Sequence, residues 1–138
     1  MKTIRVLIVD DLPQVRQGLA SMLNLASKRS RLKIEVAGEA QNGMEAIQQA
    51  RTLSPEVILM DLEMPILDGY KATRQVKAEQ PRARVIILSI HNGEEERQRA
   101  REAGADGFVV KGAHYQDLVN AILGKDGPIN PFEIGDQA

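Results

Sequence analysis

The stretch Val57-Ile58-Leu59-Met60-Asp61 is a run of four apolar residues that ends in an acid. An apolar run without alternation predicts a strand that is buried on both faces, as in a parallel sheet covered by helices. Similar short runs, rich in β-branched residues, lie on either side of it at residues 4–9, 34–37, 85–88 and 108–110. The sequence therefore predicts five strands of one parallel sheet.

The segments between these runs have the spacing of amphipathic helices. In the first segment, Val15, Leu19, Met22 and Leu23 fall on one helical face, and Pro13 stands where a helix would begin. Strands that alternate with helices predict right-handed crossovers and an α/β fold. We predict a flavodoxin-like, doubly wound five-stranded parallel sheet of order 2-1-3-4-5, with helices on both faces.

Length and composition predict one domain followed by a short tail. The chain has 138 residues, which fits a single domain with one core. Near its end Gly, Pro, Asn and Asp follow one another closely, which is typical of a linker or a frayed terminus. We assign residues 1–124 to the domain and residues 125–138 to a C-terminal linker or tail.

The composition excludes several classes of function. Cysteine is absent, which rules out disulfides, zinc–thiolate sites and thiol catalysis. The 18 basic and 19 acidic side chains nearly cancel, so nothing favours direct binding of nucleic acid or of a membrane by this domain. The first apolar run is too short for a signal peptide or a membrane span. We expect a soluble, cytoplasmic protein.

Five polar residues stand where predicted strands end. They are Asp10, Asp11, Asp61, Ser89 and Lys111. Each alone has an ordinary structural explanation, since Asp and Ser are common in turns and helix caps and a Lys after a strand is usually solvated. The carboxyl ends of parallel strands meet at one crevice, however, near the switch point between strands 1 and 3. We therefore expect the five side chains to converge on one site.

The chemistry of that set favours phosphoryl transfer. Three carboxylates in one crevice repel each other and demand a cation, and an all-oxygen site suits Mg²⁺. A carboxylate beside the ion can act as a nucleophile toward a phosphoryl group and form an aspartyl phosphate. The lysine and the hydroxyl can bind the remaining phosphoryl oxygens. No general base is needed.

The same residues lie in four motifs that resemble the receiver domains of two-component response regulators. The motifs are Val6-Leu7-Ile8-Val9-Asp10-Asp11, residues 57–69 (VILMDLEMPILDG), residues 85–89 (VIILS) and residues 103–112 (AGADGFVVKG). They match in order and in spacing, and the resemblance covers residues 1 to 124. It implies a regulatory phosphoacceptor rather than an enzyme, which supports its own phosphoryl transfer and slow autodephosphorylation only.

The resemblance implies a role for each matching residue of the metal and acceptor site. Asp61 is similar to the phosphoryl acceptor. Asp11 resembles the direct metal ligand, and Asp10 resembles the residue that holds a metal-bound water. Asp61 and the main-chain carbonyl of Glu63 complete the implied Mg²⁺ site.

The switch residues follow from the same resemblance. Ser89 corresponds to the hydroxyl that moves to the phosphoryl group, Lys111 to the phosphoryl-binding lysine, and Phe108 to the aromatic that changes rotamer. From the residues alone, a strand phenylalanine is more often plain core. The resemblance further implies that Glu63 and His91 tune the phosphoryl lifetime, and the bulky Ile90 can restrict access to the site. His91 can equally be a loop histidine without a role.

The resemblance also implies partners. The phosphodonor would be a histidine kinase or a phosphotransfer protein, and the output a change in the surface of helix 4, strand 5 and helix 5, which contacts an output domain, a partner or a second copy in a homodimer. Lys111 is followed by Gly112, where many receivers have proline. This form resembles the branch that carries helix-turn-helix output modules, so we expect the receiver part of a transcriptional regulator. The alternative is a stand-alone single-domain regulator.

The sequence bears on three other interpretations. A haloacid-dehalogenase-like phosphatase also forms an aspartyl phosphate, but it needs a second acid two residues after its nucleophile near the first strand, and Asp10-Asp11-Leu12-Pro13 lacks that arrangement. A nucleotide-binding loop would need lysine where Met44 stands. A receiver-like module that only binds partners would not need the complete set of acids and Lys111.

The predicted fourth helix, which we expect to begin near Glu94, has little apolar surface. Only Ala100 and Ala103 offer an apolar stripe between charged residues. Such a helix is weakly anchored and can shift, as a switching element should. An ordinary solvated helix face explains the pattern equally well.

Overall fold

Strands and helices alternate along the chain in the computed structural model, which describes residues 3–29, 33–127 and 129. The strands are β1 (Thr3–Val9), β2 (Lys33–Ala40), β3 (Val57–Asp61), β4 (Arg84–Ser89) and β5 (Gly107–Val110). The helices are α1 (Pro13–Arg29), α2 (Gly43–Leu53), α3 (Gly69–Glu79), α4 (Glu94–Ala103) and α5 (Tyr115–Ile122). Helix α1 begins at the predicted Pro13, and α4 begins at the predicted Glu94.

The strands form one parallel sheet in the order β2-β1-β3-β4-β5, which confirms the predicted doubly wound architecture. Val9 pairs with Met60, Asp61 with Leu88, and Ser89 with Val110. The last residues of these strands therefore lie side by side at one edge of the sheet. From β1 the chain continues to β2 on one side of the sheet, and from β3 it continues to β4 on the other side. The crevice therefore opens between β1 and β3.

Two apolar clusters cover the faces of the sheet. One joins Leu7, Ile58, Met60 and other inward residues to α2, α3 and α4. The other joins alternate strand residues, such as Ile8 and Leu59, to α1 and α5. All five residues of β3 are buried, as its unbroken apolar run predicts. The sheet is thus a rigid platform for the loops at its carboxyl end.

Strand β2 is longer than the sequence predicted. The apolar run covers residues 34–37, whereas the strand extends over Lys33–Ala40, with a register shift opposite Val6 and Leu7. Its last three residues are Gly38, Glu39 and Ala40, and Glu39 is exposed on this edge strand, so its second half lacks the apolar signal of a strand buried on both faces.

The loop from β3 to α3 folds back over the acceptor strand. The side chain of Asp68 accepts a hydrogen bond from the N–H of Lys71 and caps α3, and the N–H of Gly69 donates to the carbonyl of Leu62. A Cβ at Gly69 would collide with the carbonyl oxygen of Asp61. Glycine is required there because the two backbone segments touch.

Only part of the predicted tail belongs to the described residues. Asp126 lies 3.5 Å from Nη2 of Arg84, and Ile129 is buried in the cluster on the α2, α3 and α4 face. Residues 128 and 130–138 lie outside the described residues, and the domain boundary at residue 124 stays a prediction. Within residues 3–29, 33–127 and 129, no helix combines the length and apolar composition that crossing a bilayer requires.

Candidate functional site

Three carboxylates gather where β1 and β3 end. Because Val9 and Met60 are paired, the residues that follow them, Asp10 and Asp61, are neighbours across the crevice. One oxygen from each of Asp10, Asp11 and Asp61 can be chosen so that all three lie within 4.8 Å of one another. Asp10 and Asp61 are 1% and 4% exposed, and such burial of two like charges demands a compensating cation.

The side chain of Lys111 supplies one such cation. Its Nζ lies 2.9 Å from Oδ2 of Asp10 and 3.0 Å from Oδ1 of Asp61. The main-chain N–H of Lys111 donates to the carbonyl of Ser89, which fixes the lysine at the end of β5. Gly112 has φ of +86°, a value that proline cannot adopt. The turn after Lys111 therefore differs in backbone from a Lys-Pro turn.

Burial and charge oppose each other within this group. Burial raises the pKa of Asp61 above its ordinary value, the hydrogen bond from Lys111 opposes that rise, and the charge of Asp10 adds to it. Burial lowers the pKa of Lys111, but hydrogen bonds to Asp10 and Asp61 outweigh burial, and the pKa is raised. Asp10 contributes to both shifts, since its negative charge raises the pKa of Asp61 and that of Lys111 alike. The site thus retains more negative charge than Lys111 can balance.

The loop from β1 to α1 holds Asp10 in place. Oδ1 of Asp10 accepts from the N–H of Leu12 at 3.0 Å. Arg16, on the first turns of α1, donates to the carbonyl of Asp10 at 2.6 Å and to Glu39 on β2 at 2.8 Å. The contacts of Arg16 were not predicted, since an arginine on a polar helix face gives no signal of a partner 23 residues away.

Ser89 and the loop that follows it form the opposite wall. The Ser89 side chain is buried, and its Oγ accepts from the N–H of His91 at 3.0 Å. Nε2 of His91 lies 3.0 Å from Oε1 of Glu63, and this exposed pair joins the loop after β4 to the loop after β3. The side chain of Ile90, between Ser89 and His91, is exposed.

Phe108 is buried on β5, three residues before Lys111. The guanidinium carbon of Arg97 lies 4.8 Å from the centre of its ring. Nε of Arg97 also donates to Oδ1 of Asn92 at 2.8 Å. The contact between Arg97 and Phe108 was not predicted, since a charged residue in a charged helix gives no sign that it is buried.

The donor set fits a hard divalent cation. Three carboxylates at contact distance form an all-oxygen site, and Mg²⁺ binds through one or two carboxylates together with water and phosphate oxygens. Asp11 is more accessible than Asp10 and Asp61, so the group is open to solvent on one side. Residues that can hold the ion are therefore Asp10, Asp11 and Asp61.

Comparison with known proteins identifies relatives. A family model described as the response regulator receiver domain matches residues 6–123. Response regulator protein VraR of Staphylococcus aureus strain Mu3 is 41% identical over 120 residues, which cover 87% of this chain and 55% of VraR. The chain thus spans just over half the length of the curated relatives it matches.

Solved structures give the same result. A two-component response regulator of the LuxR family from Aurantimonas sp. SI85-9A1 is 35% identical with a TM-score of 0.79, over 88% of this chain and 84% of that protein. The signal receiver domain of the response regulator NarL from Mycobacterium tuberculosis is 30% identical with a TM-score of 0.80, over 89% of this chain and 95% of that domain.

Proposed function

The chain belongs to the response regulator receiver family, and from this premise we propose that Asp61 is its phosphoryl acceptor. As a receiver domain of a two-component system the protein is regulatory rather than catalytic. The observation that carries the assignment is the position of Asp61. Its carboxylate is buried, lies in the cluster with Asp10 and Asp11, and contacts Lys111 at 3.0 Å.

The transfer we propose is a direct displacement at phosphorus. A carboxylate oxygen of Asp61 attacks the phosphorus of a phosphohistidine, the new P–O bond forms, and the P–N bond breaks with its electron pair left on the imidazole. Lys111 binds one phosphoryl oxygen as a compact cation. It then exchanges a contact with Asp61 for one with the phosphoryl group.

The carboxylate cluster supports Mg²⁺ as the resident ion. Asp10, Asp11 and Asp61 would hold it together with the main-chain carbonyl of Glu63. When bound, the ion neutralises charge on the transferred phosphoryl group. This chain's own contribution is to fix the carboxylates before the donor arrives, since the Leu12 N–H and Arg16 hold Asp10.

Ser89 and Phe108 are the proposed switch residues. Ser89 would exchange its contact with the N–H of His91 for one with a phosphoryl oxygen. Phe108, on β5, would change its rotamer in response. The output surface would be that of α4, β5 and α5. Glu63, Ile90 and His91 surround the opening and are the proposed determinants of phosphoryl lifetime, including slow autodephosphorylation.

The wider role follows from the relatives. We propose that the chain is the receiver part of a cytoplasmic transcriptional regulator, phosphorylated by a histidine kinase or a phosphotransfer protein, and that its output face contacts an output domain or forms a homodimer. The LuxR-family relative and the Lys111-Gly112 form support this over a stand-alone regulator. The family match also speaks against a haloacid-dehalogenase-like phosphatase.

Replacement of the acceptor tests the proposal. We expect Asp61→Asn to abolish acid-labile phosphorylation by acetyl phosphate with Mg²⁺, measured by intact mass, while the circular dichroism spectrum stays unchanged. Asp68→Asn is the matched control, because Asn also caps helices, and it should be labelled like the wild type. Equal labelling of Asp61→Asn would overturn the assignment. Multiple-turnover hydrolysis of phosphomonoesters by the wild type would favour the phosphatase instead.

A further inference from the structure

Arg97 is a buried charge outside the candidate site. Among the described residues, the buried charged side chains are Asp10, Asp61 and Arg97. The first two belong to the carboxylate cluster, whereas Arg97 lies on α4, whose other charged residues are largely exposed. Burial of a guanidinium is costly unless its surroundings compensate for the lost water. The contacts of Arg97 therefore indicate what it does.

Arg97 contacts two different elements. Its guanidinium carbon lies 4.8 Å from the ring centre of Phe108 on β5, within the range of a cation–π interaction. Its Nε donates to Oδ1 of Asn92 at 2.8 Å. Asn92 belongs to the loop between β4 and α4, so one side chain joins this loop to β5.

Both elements lead directly to the site. The loop begins after Ser89, whose Oγ accepts from the N–H of His91, next to Asn92. Phe108 is three residues before Lys111, whose N–H donates to the carbonyl of Ser89 at 2.8 Å. These contacts lead from Ser89 through the loop to Arg97. From Arg97 they lead through Phe108 and the end of β5 back to Ser89. Ser89 cannot turn its hydroxyl away from the loop without breaking a contact in that path.

The neighbouring arginine makes a different connection. The guanidinium carbon of Arg99 lies 4.0 Å from the ring centre of Tyr70 on α3, and the hydroxyl of Tyr70 donates to the carbonyl of Glu96 at 3.3 Å. Arg99 thus fixes α4 to its neighbouring helix. Arg97 connects the same helix to the loop that follows Ser89 and to the strand that precedes Lys111.

We propose that Arg97 is a positioning residue that couples the phosphoryl site to α4, by holding Asn92 and the ring of Phe108 as one unit. This inference rests on the proposed role of Asp61 and extends it to a residue outside the site. A buried leucine or valine at this position would contact Phe108 but could not donate a hydrogen bond to Oδ1 of Asn92. The hydrogen bond and the ring contact together transmit a movement of the loop to the helix.

The test compares Arg97→Met with Arg101→Met, the same change at an exposed position of the same helix. Phosphorylation by acetyl phosphate with Mg²⁺ is measured by intact mass, and the response of α4 by ¹H–¹⁵N chemical-shift changes over residues 94–103. We expect both variants to be labelled like the wild type, and the shift changes to fall by at least about twofold in Arg97→Met only. Wild-type shift changes in Arg97→Met would overturn the proposal.

A second variant separates coupling from folding. Asn92→Ala removes the connection to the loop and leaves the contact between Arg97 and Phe108. We expect it to remain folded with a lower thermal midpoint, because the buried Arg97 loses a hydrogen-bond acceptor, and its α4 shift changes to fall as in Arg97→Met. A full response in Asn92→Ala would overturn the proposal even if Arg97→Met did not fold. Absence of labelling in the wild-type protein would instead contradict the proposed function of Asp61.

Discussion

The Nζ atom of Lys111 lies 3.0 Å from Oδ1 of Asp61, within hydrogen-bonding distance of the proposed acceptor. The same ammonium group contacts Asp10 at 2.9 Å, so it occupies carboxylate oxygens that a cation would need. Lys111 and Mg²⁺ therefore compete for the same negative charge.

Removal of this ammonium group should strengthen Mg²⁺ binding while it slows phosphoryl transfer. We expect Lys111→Met to bind Mg²⁺ about tenfold more tightly by calorimetric titration, since a charge-assisted hydrogen bond is worth roughly 1.5–3 kcal/mol. The rate of labelling by acetyl phosphate should fall, because no cation then receives the phosphoryl oxygen. Lys71→Met, at an exposed position of α3, is the control and should change neither value. Weaker Mg²⁺ binding in Lys111→Met would contradict the competition.

The buried charge of Asp61 should cost stability at neutral pH. Burial raises the pKa of Asp61 in the folded protein, so the unfolded chain loses its proton at lower pH than the folded one. Stability of the wild type must then fall as pH rises from the unfolded pKa, about 3.9, through the folded pKa. Each unit between the two values is worth about 1.4 kcal/mol.

Asp61→Asn removes this titration, so the variant should be the more stable protein at pH 7. We expect its advantage in the free energy of unfolding to shrink as pH falls below the unfolded pKa, in urea titrations with EDTA present. Asp117→Asn, at an exposed position in the first turn of α5, should show no such gain, because a carboxylate there is favourable. A constant difference between Asp61→Asn and the wild type across the pH range would refute the cost of burial.

The convergence of the acids could be predicted because it depends on strand register alone. Once the runs that end at Val9 and Met60 are placed side by side in a parallel sheet, Asp10 and Asp61 must be neighbours. The contacts of Arg16 and Arg97 could not be predicted in the same way. Their partners, Glu39 and Phe108, lie on other elements, and the spacing of charged residues along a helix does not show which one is buried.

Sequence patterns also could not predict the backbone conformation of the loop after β3. Ile66 has φ of +73° and its side chain is 78% exposed, although positive φ is a genuine outlier for a β-branched residue. The strain arises because the loop must return from Asp61 to the start of α3, which Gly69 brings against the strand. An isoleucine in the sequence gives no indication of this conformation.

Relief of that strain should stabilise the protein. We expect Ile66→Gly to raise the free energy of unfolding by about 0.5–1 kcal/mol. Left-handed backbone costs a non-glycine residue roughly 1–2 kcal/mol, and part of this gain is lost because glycine gives the unfolded chain more conformational entropy. Ile90→Gly is the matched control, because Ile90 is also an exposed loop isoleucine beside the site but is not among the residues with positive φ. It should lower stability. Equal effects of the two substitutions in urea titrations would show that φ is not the cause.

The contact between Glu63 and His91 makes the two proposed lifetime determinants one unit. Nε2 of His91 lies 3.0 Å from Oε1 of Glu63, and the two residues follow Asp61 and Ser89 by two positions each. They therefore link the loops on both sides of the acceptor. Loss of either side chain opens this link and gives water a wider approach to the phosphoryl group.

We expect Glu63→Ala and His91→Ala each to shorten the phosphoryl lifetime by about two- to fivefold, in keeping with the roughly 0.2–1 kcal/mol that an exposed pair contributes. The double variant should be no faster than the faster single variant, because one contact is removed in all three proteins. The measurement is the decay of acid-labile label after removal of acetyl phosphate. Independent action of the two residues would instead multiply the single effects, and that outcome would separate Glu63 from His91 as determinants of lifetime.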